Sequence, residues 1–128
     1  IAEDNFVLRK VVVDYLATFG ITCIETASEA ETWLALQRNP VDALVLDLIL
    51  SSARPTFSIV ERMQKDSALR EVPIIVTSAY SGDALASVDR GGYLAVCSFL
   101  QKPYDLSQLR YAIIRAIAES RKTMTPCV

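Results

Sequence analysis

The chain has 128 residues, of which 52% are apolar and 22% charged, a composition typical of one globular domain with an ordinary hydrophobic core. Its formal charge of −2 argues against a general nucleic-acid or anionic-membrane binder, which would carry a basic surface. No apolar run approaches the roughly 20 residues that span a bilayer, and no signal peptide opens the chain. The absence of histidine excludes Ser/His and Cys/His catalytic pairs and histidine-ligated metals.

The three cysteines, Cys23, Cys97 and Cys127, are odd in number, widely separated and without metal-binding spacing. They do not indicate a disulfide framework. We expect reduced thiols, two of them partly buried and one in a tail, in a cytoplasmic protein.

The first forty residues alternate between helical and strand-like patterns. Apolar residues recur at helical spacing over residues 6–19, and Gly20 stands where a helix C-cap is expected. Residues 21–27 are rich in β-branched side chains and predict a strand. Ser28 and Glu31 form a capping-box pattern that opens a second helix, which an Asn-Pro pair closes.

The remainder of the chain continues this alternation. Nearly unbroken apolar runs at residues 43–48 and 73–78 predict strands that are covered on both faces, and a shorter strand is expected at residues 96–100. Helices are predicted at residues 57–64, at residues 83–90 and after the capping-box pattern of Asp105 and Gln108.

Strands that alternate with helices at this spacing predict an α/β fold, a doubly wound parallel sheet with helices on both faces. Such a sheet needs a central first strand, yet only residues 1–5 precede the first helix. We therefore expect the numbered chain to begin inside that strand. The domain is expected over residues 1–120, followed by a C-terminal tail at residues 121–128 that lacks periodicity.

Polar side chains stand at the carboxyl ends of successive predicted strands, where open parallel sheets bind their ligands. Glu3 and Asp4 follow the first strand, Asp47 ends the third, Ser78 ends the fourth, and Lys102 follows the fifth. Each residue alone has an ordinary explanation as a solvated, capping or surface residue. Their joint placement at one rim of the sheet is what indicates a site.

The predicted cluster fits phosphoryl transfer to an aspartate. Three carboxylates that lie close together need a cation between them, and an all-oxygen ligand set suits Mg²⁺. The cation would shield Asp47 as an anionic nucleophile, while Lys102 and the Ser78 hydroxyl would contact further oxygens of the phosphoryl group. The sequence therefore predicts a metal-assisted aspartyl phosphate.

Four segments resemble the receiver domains of two-component response regulators, of which the bacterial chemotaxis regulator is the minimal form. The resemblance covers nearly the whole chain. The matching segments are the acidic residues 3–5, the phosphoacceptor strand 44–48, the hydroxyl-bearing strand 73–79 and the lysine-proline segment 99–103. The resemblance implies a flavodoxin-like (βα)5 fold with strand order 2-1-3-4-5.

The resemblance also implies a role for each site residue. Asp47 would accept a phosphoryl group from a partner histidine kinase or histidine phosphotransfer protein, with Ser78 and Lys102 contacting the phosphoryl oxygens. Phe99 would be the switch aromatic. The implied Mg²⁺ ligands are Glu3, Asp4, Asp47 and the backbone carbonyl of Ile49.

Ser78, rather than its neighbour Thr77, is assigned as the hydroxyl. In the family five steps separate the leading proline of this strand, here Pro73, from the hydroxyl, and a small residue, here Ala79, follows. Thr77 would point to the opposite face of the strand.

For the domain as a whole, the resemblance implies a switch in a protein-interaction surface that serves a downstream output domain or protein. That surface would be formed by the fourth helix, fifth strand and fifth helix, a face that also suits a homodimer. Neither direct nucleic-acid binding nor membrane attachment is expected. The expected chemistry is limited to self-phosphorylation and self-dephosphorylation, so the domain is not expected to be an enzyme.

The loop after the acceptor departs from the family pattern. Where the family commonly has a Met-Pro pair and a later glycine, this chain has Leu50-Ser51 and Pro55. Ile49 is apolar where polar residues are frequent, and the segment between Ser78 and Lys102 is slightly longer than usual. We expect an altered path for residues 51–56 and a change around the fourth helix.

Two other classes stay open. A degenerate receiver would bind proteins without being phosphorylated. A dehalogenase-like phosphatase also uses a strand-end aspartate with Mg²⁺, but its general acid would stand at the position of Ile49. Flavin binding is less well supported, because no Ser/Thr/Gly-rich phosphate loop follows the first strand.

Overall fold

The structure, a computed structural model, describes residues 1–50 and 54–124. Helices and strands alternate along this part of the chain, and the predicted α/β class is confirmed. The elements are α1 (Phe6–Ala17), α2 (Glu29–Arg38), β1 (Leu44–Asp47), α3 (Ser58–Gln64), β2 (Ile74–Ser78), α4 (Gly82–Val88), a 3₁₀ helix (Tyr93–Val96), β3 (Ser98–Gln101) and α5 (Leu106–Met124).

The sheet is parallel, with β2 between β1 and β3. Ala2 makes single parallel bridges to Thr26 and to Leu46, so residues 1–3 lie between the segment at Thr26 and β1. The full five-strand order 2-1-3-4-5 stays a prediction, because the first two predicted strands contribute only these bridges. The truncation of the first strand also stays a prediction. A cavity of about 390 Å³ lies beside Ile1.

The sheet is buried on both faces, as its apolar strands predict. Alternate residues of β1 and β2 point to opposite faces: Leu46 and Val76 pack in one cluster, Val45 and Ile75 in the other. Helices α2, α3 and α4 cover the first face, and α1 and α5 cover the second. The two layers fix the sheet, and with it the rim formed by the carboxyl ends of its strands.

Local sequence signals begin and end the helices as expected. Gly20 adopts φ +77°, and its N–H and that of Ile21 donate to carbonyls in the last turn of α1 at 3.1 Å each. This is the left-handed glycine cap that the sequence predicts. Ser28 Oγ accepts a hydrogen bond of 3.2 Å from the Glu31 N–H and caps α2.

Two predictions about the strands are wrong. Residues 21–27 form no regular strand, since the neighbouring segment offers only residues 1–3 as pairing partners and Thr26 makes the single bridge. The last strand begins at Ser98 instead of residue 96, because a 3₁₀ helix occupies Tyr93–Val96. Helix α5 continues to Met124, past the predicted start of the tail at residue 121. The other helix ends lie within two residues of their predicted positions.

Some predictions fall on segments that the structure does not describe. The altered path is predicted for residues 51–56, and residues 51–53 of this loop lie outside the described residues. The third cysteine, Cys127, belongs to residues 125–128, which also lie outside them. The division at residue 120 stays a prediction. Cys23 and Cys97 are unpaired and partly buried, as expected.

Candidate functional site

The strand ends of β1 and β2 place the predicted site residues at one rim. Asp47 is the last residue of β1 and Ser78 the last of β2, and parallel pairing aligns Asp47 with Thr77. The next residue after β3 is Lys102, whose N–H donates to the Ser78 carbonyl at 2.7 Å. The backbone register of the sheet therefore determines the position of three of the predicted residues.

The side chains of Glu3, Asp47 and Lys102 meet at this rim. Lys102 Nζ donates to Glu3 Oε1 at 2.5 Å and to Asp47 Oδ2 at 3.0 Å. Both acidic residues are buried, Glu3 with 5% and Asp47 with 6% of its surface exposed. The second oxygen of Asp47, Oδ1, accepts a hydrogen bond of 2.9 Å from the Ile49 N–H. The ammonium therefore bridges two buried carboxylates that are distant from it in the sequence.

Burial and charge shift the pKa of two of these groups. Burial raises the pKa of Glu3 from 4.5 to about 7, an effect that Lys102 opposes and that Asp47 reinforces. Burial lowers the pKa of Lys102, but its hydrogen bonds to Glu3 and Asp47 outweigh this, and the net shift is upward. The lysine is thus charged, while ionisation of Glu3 beside Asp47 is unfavourable.

The acidic residues fit a divalent metal ion. Carboxylate oxygens of Glu3, Asp4 and Asp47 all lie within 4.8 Å of one another, and Asp4 is exposed to solvent. An all-oxygen set is hard and suits Mg²⁺, which commonly keeps several waters and takes one or two carboxylates. The chemistry of these donors matches the metal predicted from the sequence. The carbonyl of Ile49 as a further ligand stays a prediction.

Ser78 and Phe99 lie where the sequence predicts, but their roles stay predictions. Ser78 is buried at the end of β2, and its Oγ accepts a hydrogen bond of 3.0 Å from the Tyr80 N–H. Thr77 is also buried and, by alternation along the strand, lies on the opposite face. Phe99 packs partly buried against the core, with its ring 3.9 Å from the position that a methyl group at Gly82 would take.

Sequence reasoning missed Arg9. Its Nη1 donates to the backbone carbonyl of Glu3 at 2.8 Å, and its Nε donates to Glu25 Oε1 at 3.1 Å. The signal was present, because Arg9 stands three residues before the buried Val12 on an amphipathic helix. A cation beside the buried stripe of a helix needs a partner.

The fold and this rim agree with a known family. A family model described as the response regulator receiver domain matches residues 1–114. The chain belongs to the response regulator receiver domain family. It is thus a receiver domain of two-component signalling, which confirms the resemblance seen in the sequence.

Relatives at the sequence level are parts of larger proteins. The DNA-binding transcriptional regulator NtrC of Rhizobium meliloti (strain 1021) is 27% identical over 124 residues, which cover 95% of this chain and 24% of the relative. Hybrid signal transduction histidine kinase K of Dictyostelium discoideum is 30% identical over 132 residues, which cover 97% of this chain and 11% of the relative. The chain therefore spans about a quarter or less of these relatives.

Solved structures of other proteins have the same fold. A sensor protein from Polaromonas sp. JS666 has a TM-score of 0.81 at 26% identity, with 93% of this chain and 94% of that chain covered. The receiver domain of a sensor histidine kinase from Pseudomonas aeruginosa PAO1, with a magnesium ion coordinated in its active site cleft, has a TM-score of 0.75 at 24% identity. That comparison covers 91% of this chain and 93% of that chain.

The described part of this receiver domain contains no helix that combines the length and the apolar character needed to cross a membrane.

Proposed function

We propose that Asp47 of this receiver domain accepts a phosphoryl group from a partner histidine kinase or histidine phosphotransfer protein. The observation that carries the proposal is the contact of Lys102 with both Asp47 and Glu3 at the carboxyl rim of the sheet. Receivers of this family need an aspartate nucleophile flanked by acidic residues and a lysine, and these are the residues present. Phosphoryl transfer requires chiefly positioning and charge neutralisation, which such a cluster supplies.

Each side chain has a proposed part in the reaction. The Ile49 N–H holds Oδ1 of Asp47, so the orientation of the carboxylate is fixed before the donor arrives. Lys102 faces Oδ2 and would remain as counter-charge for the phosphoryl oxygens, and the Ser78 hydroxyl would donate to another. Mg²⁺ held by Glu3, Asp4, Asp47 and the Ile49 carbonyl would supply further positive charge at the acceptor.

We propose that phosphorylation changes a protein-binding face formed by α4, β3 and α5. Phe99 of β3 would rotate inward when Ser78 moves toward the phosphoryl group, a shift between two pre-existing states. Two of these elements carry exposed apolar side chains, Val88 on α4 and Tyr111 on α5, which supports a docking role. The partner would be an output domain, an output protein or a second copy of the domain, in the cytoplasm.

The direct test is incorporation of phosphate from acetyl phosphate in the presence of Mg²⁺, measured by mass spectrometry of the intact protein. We expect the wild-type domain to gain one phosphoryl group and Asp47→Asn to gain none. Asp14→Asn changes an exposed aspartate on α1 and is expected to behave as the wild type.

Two results would overturn the proposal. A folded wild-type domain that gains no phosphate at saturating acetyl phosphate and Mg²⁺ would identify a degenerate receiver that only binds proteins. Repeated turnover of a small phosphate ester, lost in Asp47→Asn, would identify a phosphatase instead.

A further inference from the structure

We propose that Arg9 is a positioning residue for the metal site, acting through the Glu3–Asp4 peptide without touching the metal. This inference rests on the proposed Mg²⁺ site at Glu3, Asp4 and Asp47. It concerns a residue on α1 that lies outside the phosphoryl-binding set, and it assigns a function to a nearly buried guanidinium.

The guanidinium connects three segments of the chain. Arg9 Nη1 donates to the Glu3 carbonyl at 2.8 Å, and Arg9 Nε donates to Glu25 Oε1 at 3.1 Å. The side chain of Arg9 is only 13% exposed, whereas that of its partner Glu25 is 27% exposed, so the guanidinium is the more shielded member of the pair. Glu25 precedes Thr26, which bridges Ala2, so the anchor of the guanidinium is itself fixed to the sheet.

The contact to the Glu3 carbonyl determines the position of Asp4. The peptide group is planar, so holding the Glu3 carbonyl oxygen also holds the N and Cα of Asp4. The N–H of Glu3 donates to the Thr26 carbonyl at 3.0 Å, which fixes the other side of the same residue. Asp4 is exposed, and its carboxylate therefore depends on its backbone for its placement beside Glu3 and Asp47.

A purely electrostatic role makes the opposite prediction. A guanidinium near a divalent ion repels it, so removal of the charge alone would strengthen Mg²⁺ binding. Loss of a positioning contact instead weakens binding, typically by about tenfold or more for a group just outside the ligand shell. The sign of the change in Mg²⁺ affinity thus separates the two roles.

The lysine next in sequence provides a matched comparison. Lys10 contacts the other oxygen of Glu25 at 3.0 Å and is 46% exposed. Its hydrogen bond goes to Glu25 and not to Glu3, so Lys10→Gln removes the same charge from the same helix and leaves the contact to the Glu3 carbonyl in place. Arg9→Lys keeps the charge but replaces the planar fork, which reaches two acceptors at once, with a single ammonium.

The experiment is an Mg²⁺ titration in which amide NMR signals are monitored. It is carried out on the wild type, Arg9→Gln, Arg9→Lys and Lys10→Gln. We expect Mg²⁺ affinity to fall by roughly tenfold in both Arg9 variants and to stay within about twofold of the wild type in Lys10→Gln. In metal-free protein, the amide of Asn5, which donates to Glu3 Oε2 at 3.2 Å, should exchange with solvent faster in the Arg9 variants only. Should Arg9→Gln fold poorly, Arg9→Lys and Glu25→Gln serve the same comparison.

Unchanged or tighter Mg²⁺ binding in Arg9→Gln would overturn the inference, as would full retention of affinity in Arg9→Lys. Wild-type protein that fails to bind Mg²⁺ would overturn the proposed metal site itself. In that case the metal-free exchange of the Asn5 amide still shows whether Arg9 holds this segment in place.

Discussion

At the scale of single residues, the site is defined by an imbalance of charge. Lys102 contacts Glu3 and Asp47, and the carboxylate of Asp4 lies within 4.8 Å of both. One ammonium thus faces three carboxylates, two of them buried. Burial of Glu3 raises its pKa to about 7, an effect that Asp47 reinforces and Lys102 opposes, and a proton on Glu3 also removes its repulsion of Asp47. A divalent cation relieves the same repulsion without a proton, and this is why an acidic cluster of this kind suits a metal.

The pKa of Glu3 predicts how stability depends on pH in metal-free protein. Because the pKa is about 7 in the folded chain against 4.5 for an ordinary glutamate, folding binds a proton in this range. The stability due to protonated Glu3 is fully present below pH 4.5 and is lost as the pH rises to about 7. Relative to Glu3→Gln, the wild type should therefore lose at least about 1 kcal/mol between pH 5 and pH 8.

Urea unfolding with a chelator present, at pH 5 and at pH 8, measures this difference. Glu119→Gln removes an exposed carboxylate on α5 and should show no comparable trend. A difference between the wild type and Glu3→Gln that is constant over this range would show that Glu3 ionises with an ordinary pKa and that burial at the rim does not raise it.

At the scale of secondary-structure elements, short-range signals determine where helices begin and end. Gly20 is the clearest case, because its φ of +77° lies in the left-handed region. A methyl group there would meet no described atom within 4 Å, so Gly20→Ala tests backbone conformation without steric crowding. We expect a loss of about 1 kcal/mol in the free energy of unfolding.

Gly82→Ala is the control for that substitution. Gly82 opens α4 without a positive φ, and its added methyl would make an ordinary contact of 3.9 Å with Phe99. This variant should keep the stability of the wild type or exceed it slightly. Denaturant unfolding measures the change in the free energy of unfolding for both variants. Equal changes at the two positions would contradict the assignment of Gly20 as the helix cap.

The helices could be predicted from the sequence because the spacing of apolar residues and the capping residues at each end are local properties. The segment before the last strand could not be predicted, because an aspartate outside the apolar strand pattern stabilises a different backbone conformation there. Asp89 accepts hydrogen bonds from the N–H of Tyr93 at 2.9 Å and from that of Leu94 at 2.6 Å, which stabilises the 3₁₀ helix ahead of β3. An aspartate in a loop has many acceptor roles, and the sequence does not say which one it takes.

At the scale of the whole molecule, the site depends on contacts between distant segments. The sequence predicted the rim because parallel strands end at one edge, and that rule places Asp47, Ser78 and Lys102 together. It did not predict that Lys102 would bridge Glu3 and Asp47, or that Arg9 would join Glu3 to Glu25. The contacts of Arg9 depend on how α1 packs on the sheet, which no local pattern encodes.

The switch is a property of the whole domain and gives the last prediction. Beryllofluoride with Mg²⁺ would stand in for the phosphoryl group on Asp47. Ser78 and Phe99 lie in adjacent paired strands, since Ser78 is paired with Gln101 and Phe99 with Val76. A shift of Ser78 toward Asp47 should therefore reach β3 and the start of α4.

We expect beryllofluoride to shift the amide signals of Ser78, Phe99 and the residues of α4, and to leave those around Leu16 on the opposite face nearly unchanged. Phe99→Leu should retain the shifts near Asp47 and lose most of those in α4, because the smaller side chain no longer couples β3 to the helix. Asp47→Asn should show none of these shifts. Saturating reagent that perturbs Asp47 but leaves the signals of Phe99 and α4 in place would show that the acceptor is functional and that the output face is not controlled through this aromatic.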